Sequence, residues 1–475
     1  MGFGTARRTT LLAVIVGALP LCSCSTSLPA VSAPSGRALA SAAPIATTTT
    51  RDGEGLMSRG ESAAALRAVR AEGRARQFDR HLAILQREKE ILSRGNKVEL
   101  LVDGPATFAA MFAELEKARH RILLESYIIE ADEIGLRLRD TLLRKRAEGV
   151  EVYLIRDAVG SFSTPREYFE SLREGGVRVC EFNPLSALRR SFGILQANHR
   201  DHRKVLVVDG QLAFTGGINV SRVYSSASPA WRHRGAGGMA DGWRDTHVRI
   251  EGPAAAQFVD LFRDTWQRQH CPDAERLARS GQHHGAISTE PAGERLVSVI
   301  GSVAGANSDR LYRTLLGAIV GATDSIHITM AYFVPDPQTL DALAEAALRG
   351  VEVVLVLPGY GDSLLALRAG QSHYSRLLDA GVRIFEMHDA FLHAKTVVID
   401  GVWSTVGSAN LDWRSFLHND ELNVIVLGED FGTRMEALFA ADVARSRQLS
   451  PQEWSGRGVA RQWMERFSRL WEYWL

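Results

Sequence analysis

An internal duplication constrains this chain more than any other feature, because a fold built twice must place each of its motifs twice. The first copy reads as a strand over 98–102, then a helix with Phe108, Met111, Phe112 and Leu115 at helical spacing. A strand over 122–127, a charged helix ending at Gly149 and a strand over 150–155 follow. The second copy has a strand over 326–332, a helix ending at Gly350 and a strand over 351–357. Gly176-Val177-Arg178-Val179 matches Gly381-Val382-Arg383-Ile384. Strands alternating with helices predict an α/β fold of two tandem domains related by a pseudo-twofold axis, over 96–275 and 295–475. Each is expected to be a mostly parallel sheet flanked by helices.

Each copy reaches the same constellation. In the first it is His202-Arg203-Lys204, with Asp209, then Gly216-Gly217-Ile218-Asn219. In the second it is His393-Ala394-Lys395, with Asp400, then Gly407-Ser408-Ala409-Asn410. The His, Lys, Asp, first Gly and Asn keep the same offsets in both. His and Lys two apart on a strand point to one face. Histidine serves as nucleophile or proton donor near neutral pH, lysine offers a compact cation to a phosphate oxygen, and an asparagine amide adds a hydrogen bond. One set is an incomplete site. Two sets brought together supply a histidine for each side of a phosphorus and four groups for the charge on its oxygens. A lone H-x-K would be an ordinary strand; its repetition with shared offsets is what carries weight. Downstream, Asp245 and Glu421 occupy matching places and are expected to orient the histidines. Asp209 and Asp400 fit either a catalytic role or the turn that ends each strand. The chemistry requires no metal and no cofactor.

These residues resemble the phospholipase D superfamily, whose signature is the duplicated H-x-K-x(4)-D motif followed by Gly and Asn. Within it the chain is most similar to bacterial cardiolipin synthases, on segments such as Leu124-Glu125-Ser126-Tyr127-Ile128, Phe182-Asn183-Pro184-Leu185 and Asn410-Leu411-Asp412-Trp413-Arg414-Ser415. The resemblance implies that His202 and His393 are nucleophile and general acid/base, with His202 the nucleophile. It implies that Lys204, Lys395, Asn219 and Asn410 bind phosphate. The implied reaction moves a phosphatidyl group between phosphatidylglycerol molecules through a phosphohistidine, forming cardiolipin. Hydrolytic phospholipase D action, a nucleic-acid phosphodiesterase and a catalytically dead lipid-binding protein are the rivals. A net charge of +1 gives no electrostatic argument for a nucleic-acid partner, and two intact motifs argue against a dead protein. The expected partners are a phospholipid substrate and a membrane surface.

The N-terminus reads as a targeting segment over 1–24. Arg7 and Arg8 precede an apolar run over 11–21 that is too short to span a bilayer. Leu21-Cys22-Ser23-Cys24 resembles a lipoprotein cleavage site, making Cys24 the lipidated residue; an ordinary cleaved signal peptide or a short uncleaved anchor is the alternative. Both place the protein in the bacterial cell envelope, exported and membrane-associated. An Ala-, Ser-, Thr- and Pro-rich stretch over 25–60 reads as a flexible tether, and 61–95 as a helix ended by Gly95-Asn96. No disulfide framework is visible among Cys22, Cys24, Cys180 and Cys271, and Cys180 reads as a small buried hydrophobe. Residues 185–195 form an apolar and basic insertion ahead of the first motif, and a Gly- and Ser-rich loop over 221–242 is expected to frame the site. Near the C-terminus, Trp463, Phe467, Leu470, Trp471 and Trp474 fall near helical spacing with arginines between them. That pattern suits an interfacial helix or an amphipathic helix packed on the second domain.

The lipoprotein reading predicts that Cys24→Ser moves the protein out of the membrane fraction and removes acyl mass from the mature chain. An unchanged membrane fraction with no acyl mass on the wild type would exclude it.

Overall fold

Two hairpins decide how the sheet is built. After each H-x-K the apolar run Lys204–Val208 or Lys395–Ile399 turns back into Leu212–Gly216 or Trp403–Gly407. Asp209 and Gly210, like Asp400 and Gly401, have positive φ, the type I′ pattern of tight hairpins. In this computed structural model, which describes residues 28, 44–70, 72–184, 198–225, 242–279, 291–305 and 309–475, each hairpin joins a strand from the preceding βαβ unit. Arg121–Ser126, Glu151–Asp157 and Arg178–Phe182 pair in parallel. Lys204–Val208 then adds antiparallel to Arg121–Ser126, followed by Leu212–Gly216, Thr246–Glu251 and Ser93–Val102, all antiparallel.

The second half repeats this order with Ser325–Met330, Glu352–Pro358, Arg383–Met387, Lys395–Ile399, Trp403–Gly407, Asn419–Leu427 and Arg295–Ser302. Ser93–Val102 pairs antiparallel with Arg295–Ser302, so the two halves share one continuous sheet. The duplicated α/β architecture is therefore present. The sheet is mixed rather than mostly parallel, because a strand that follows a two-residue turn must run antiparallel to its predecessor.

Helices cover both faces. Asp103–Lys117, Glu133–Ala147 and Arg166–Glu174 bury Phe108, Phe112, Leu115, Leu138, Leu142 and Phe169 on the first half. On the other face Ala255–Arg268 contributes Phe258, Phe262 and Trp266 to a core that also takes Val398, Val406, Val424 and Phe431 from the second half. Apolar packing thus crosses the pseudo-twofold boundary.

The N-terminal segment departs from its expectation. It forms two helices, Arg59–Val69 and Ala75–Arg87, not one over 61–95. Ser58 and Glu61 make a reciprocal capping box that starts the first. Lys89 adopts a positive φ just after the second, and strand pairing begins at Ser93, so Gly95-Asn96 lies inside a strand. These helices pack on the second half: Phe78, Leu82 and Leu85 meet Leu311, Leu315 and Ile319. Glu88 and Glu90 pair with Arg313 and Arg310 at 2.8 Å each. The end of the expected tether is also ordered. Pro44–Thr47 is helical, Thr48 and Thr50 are buried, and Arg51 N donates to Leu92 O at 2.9 Å. The targeting segment with Cys24, most of residues 25–43, the 185–195 insertion and loop residues 226–241 lie outside the described residues.

Cys180 is buried as expected but not as a free thiol. It forms a disulfide with Cys271, with Cα atoms 5.4 Å apart. The two stand 91 residues apart, so no local spacing announces them. The helix Ala255–Arg268 returns across the sheet and leaves Cys271 beside strand Arg178–Phe182. Closing so long a loop restricts the unfolded chain, so Cys180→Ala/Cys271→Ala should cost about 2–4 kcal/mol. Chemical denaturation of the oxidised wild type and the double variant measures this; identical midpoints would show that the bond does not form.

Candidate active site

The backbone brings the two motifs together through two short parallel ladders. Arg200–Asp201 pairs with Asn419-Asp420, and His202 N donates to Asp420 O at 2.9 Å. Phe391–Leu392 pairs with Trp243–Arg244, and His393 N donates to Arg244 O at 2.8 Å. The residue just before each motif's carboxylate therefore holds the histidine of the other copy. The side chains follow. His202 Nδ1 lies 3.0 and 3.1 Å from the Glu421 oxygens, and His393 Nδ1 lies 2.7 Å from Asp245 Oδ2. Both carboxylates orient histidines, and the pairing is crossed: each acts on the histidine of the opposite half. An ionised carboxylate only accepts, so each Nδ1 carries the proton and each Nε2 keeps its lone pair for chemistry.

Lys204 Nζ donates to His202 O at 2.6 Å, and Lys395 Nζ donates to His393 O. Aromatic rings wall the site. Tyr127 stands edge-on to His202 at 5.1 Å, and Lys204 Nζ lies 5.3 Å from its ring centre. Trp243 and Tyr224 lie 5.2 and 5.7 Å from His393. The asparagines differ. Asn219 accepts from Ile128 N at 3.2 Å and donates to Tyr224 Oη at 2.8 Å, whereas Asn410 Oδ1 is buried with no partner among the described residues.

Asp209 and Asp400 do not join this group. Asp209 accepts from the N–H groups of Arg119, His120 and Arg121 at 2.7–2.9 Å. Asp400 accepts from Thr323, Asp324 and Ser325 N–H groups and pairs with His81 at 3.0 Å. Each clamps the start of a neighbouring strand, five residues beyond its lysine. At strand rise that is roughly 17 Å away. Their place among the catalytic residues is corrected to a turn role.

Other residues here carried no signal of their own. Ser408 Oγ donates to Glu421 Oε2 at 2.5 Å, and Asn419 Nδ2 to Oε1 at 3.2 Å. Ser408 stands at the offset of Gly217, where a Cβ would lie 2.1 Å from Asp245 Oδ1, so only a comparison of the two copies singles it out. Buried Arg203 donates to Glu421 O at 3.2 Å, Thr265 Oγ1 at 2.7 Å and Ser302 O at 2.5 Å, fixing the strand that carries the glutamate.

Burial sets the electrostatics. It pushes the His202 imidazole down to about 4 against the pull of Glu421, with Lys204 and Lys395 adding to the fall. His393 is also driven well below its usual value, by burial and then by Lys395 and Lys204. Burial lowers Lys204 to about 7 and Lys395 to about 8. Burial would raise Glu421, but His202 and Lys204 hold it below the usual carboxylate range; Asp245 is raised by burial to about 6. Two lysines and two histidines thus face one another in a buried space, and each disfavours the charge of the rest. An anion placed among them restores those charges. No group of three or more His, Cys, Asp or Glu among the described residues is arranged to hold a metal ion.

The family described as "Cardiolipin synthase, PLD-like domain" matches residues 111–227 and 315–443, one stretch around each motif. The chain belongs to this phospholipase D-like family. Among its relatives is cardiolipin synthase A of Pseudomonas putida (strain W619), 36% identical over 383 residues, covering 79% of this chain and 74% of that one. Cardiolipin synthase A of Pseudomonas aeruginosa (strain LESB58) is 37% identical over 359 residues, covering 75% and 69%. In structure, the fold is similar to that of phosphatidylserine synthase from Haemophilus influenzae, with TM-score 0.61 and 14% identity over 83% of this chain and 99% of that one. As a phospholipase D-type enzyme, the chain keeps both motifs complete.

Glu421→Gln and Asp245→Asn keep the shape of each pair and remove its charge. Each should lower kcat on a phosphodiester substrate by about 10²–10⁴, the scale seen when a histidine loses its orienting carboxylate. The lysines add a pH dependence. Their lowered values leave them charged below pH 7–8 and neutral above it, so KM for the anionic substrate should rise as pH passes from 7 to 9. Steady-state kinetics across this range check both; near-wild-type kcat in either variant would remove the crossed pairs from the mechanism.

Proposed function

We propose that this chain transfers a phosphatidyl group from one phosphatidylglycerol to another, forming cardiolipin and releasing glycerol. The observation that carries this reading is the pair of imidazoles whose Nδ1 atoms are held by Glu421 and Asp245, leaving two Nε2 atoms for one phosphorus. His202 Nε2 attacks phosphorus and the bond to the glycerol oxygen breaks, while protonated His393 gives that oxygen its proton. The hydroxyl of a second phosphatidylglycerol then attacks. His393 takes its proton, and the phosphorus–nitrogen bond breaks.

The asymmetry of the carboxylates supports His202 as nucleophile. Glu421, held ionised and bonded by Ser408 and Asn419, suits the cationic phosphohistidine. Asp245, raised to about 6, suits a histidine that gains and loses a proton in each half-reaction. The bound phosphodiester charge raises the His393 imidazole toward its working range. Lys204 and Lys395 are placed for the phosphate oxygens, and the Nδ2 groups of Asn410 and, once it releases Tyr224, Asn219 are the further donors.

The same reading places the enzyme at a membrane surface of the bacterial envelope, exported and anchored through Cys24. Its support is the N-terminal sequence and the Cys180–Cys271 bond, since disulfides persist in oxidising compartments. Among the described residues no helix is long and apolar enough to cross a membrane.

The test incubates purified protein with phosphatidylglycerol, with and without chelator, and resolves the lipids by mass. Cardiolipin with equimolar glycerol is expected in both; phosphatidic acid alone would replace transfer with hydrolysis. Quenched reactions should carry an acid-labile phosphohistidine that His202→Ala abolishes and His393→Ala forms slowly, each variant losing about 10²–10⁴ in turnover. An adduct surviving in His202→Ala would reverse the two roles.

A further inference from the structure

The C-terminal helix Val459–Ser468 is inside out. A helix packed on a soluble domain buries its apolar stripe and shows its charges to water. Here Glu465 and Ser468 face inward, 1% and 4% exposed, and Glu465 is held by Arg457 at 3.0 Å and Arg461 at 3.4 Å. The large apolar residues face out: Val459 68%, Trp463 68%, Met464 46%, Phe467 60% and, in the following turn, Leu470 75% exposed. Leu364, on the helix Leu364–Gln371 packed against this one, is also 55% exposed. Single exposed apolar residues are ordinary; a whole helix face of them marks an interaction surface.

We infer that this face docks on the surface of an anionic phospholipid bilayer and brings the active site to its substrate, an inference that rests on the lipid reading of that site. Charge and position choose this occupant. Arg466 and Arg469 alternate with the apolar residues on the exposed side, while the acids of the segment lie inward: Glu465 is buried beneath Arg457 and Arg461, and Glu472 is held by His373 at 2.9 Å as well as by Arg469 at 3.2 Å. Aromatic and aliphatic side chains interleaved with arginines match the boundary between headgroups and acyl chains. The turn that follows, Arg469–Trp474, leads to the site. Tyr473 lies 5.9 Å from Trp413 and 5.3 Å from His418, and Trp474 stacks on His418 at 6.0 Å. The His418 carbonyl accepts from Arg200 N, one pairing before the ladder that seats His202. The expected aromatic stripe therefore divides: its first part faces outward, and its last part fastens the helix beside the first histidine.

The test follows backbone hydrogen exchange, peptide by peptide, in the full chain with and without vesicles of equal parts phosphatidylglycerol and phosphatidylcholine. Reading the segment itself keeps any N-terminal anchoring out of the signal. Protection over 459–474 should rise at least ~10-fold with these vesicles, the scale of withdrawing two or more large apolar side chains from water. Trp463→Asp/Phe467→Asp should abolish that rise while peptides elsewhere keep wild-type exchange, which establishes that the variant is folded. Arg466→Gln/Arg469→Gln should weaken the rise and reduce its sensitivity to salt. No vesicle-dependent protection in the wild type would overturn the inference. So would protection that grows with protein concentration in the absence of lipid, because the face would then cover a second copy of the chain. Turnover of dispersed short-chain phosphatidylglycerol, measured on the same samples, separates the two claims: docking without cardiolipin formation overturns the reaction alone, and reaction without docking overturns the surface alone.

Discussion

The structure depends on two carboxylate–imidazole pairs that cross between its halves. His202 belongs to one copy and its partner Glu421 to the other; His393 and Asp245 repeat this in reverse. Neither half contains an oriented histidine by itself. All four side chains are almost fully withdrawn from water, and leaving one member unpaired there costs about 3–5 kcal/mol. Docking of the halves and assembly of the site are therefore one event. The ladders at Arg200–Asp201 and Phe391–Leu392 carry that coupling through the backbone, which fixes each ring by its main chain as well as by its side chain.

Around this crossing the pseudo-symmetry is broken where chemistry benefits. Ser408 supports Glu421, while its counterpart Gly217 leaves room for Asp245 to approach. Arg203 pins the Glu421 strand, and its counterpart is Ala394; on the other side Arg244 binds Asp442 at 2.7 Å and reaches Asp245 O. The two carboxylates differ as well: His202 and Lys204, with a smaller part from Ser408, hold Glu421 below its usual range against burial, whereas burial raises Asp245 to about 6. Two histidines with equivalent surroundings would compete for one role. In the proposed mechanism, unequal carboxylates suit one histidine to attack phosphorus and the other to exchange protons.

Elements outside the duplicated units tie the halves to one another and to their surroundings. The N-terminal helices pack on the second half although the chain continues from them into the first, and His81 joins the same Asp400 that clamps a strand start. The Cys180–Cys271 bond locks the edge of the first half to its crossing helix. The C-terminal helix turns its apolar residues outward and its glutamate inward, so packing on the second domain does not account for its pattern.

The sequence by itself determined the duplication, the α/β class and the set of groups that meet at the site. Repeated offsets and apolar runs are local properties, readable without knowing what packs where. His202, Lys204, His393, Lys395, Asp245 and Glu421 were all legible in that way. Only the tertiary structure decided which carboxylate holds which histidine, because that pairing spans about 150–220 residues of chain and symmetry makes both choices look alike. It also assigned Asp209 and Asp400 to backbone clamping, since a motif spacing records neighbours along a strand and not the far end to which the strand carries them. The disulfide, the mixed sheet and the outward face of Val459–Ser468 were hidden for a related reason. Hydrophobic periodicity shows that a helix has two faces, and only the packing of the folded chain determines which of them meets water.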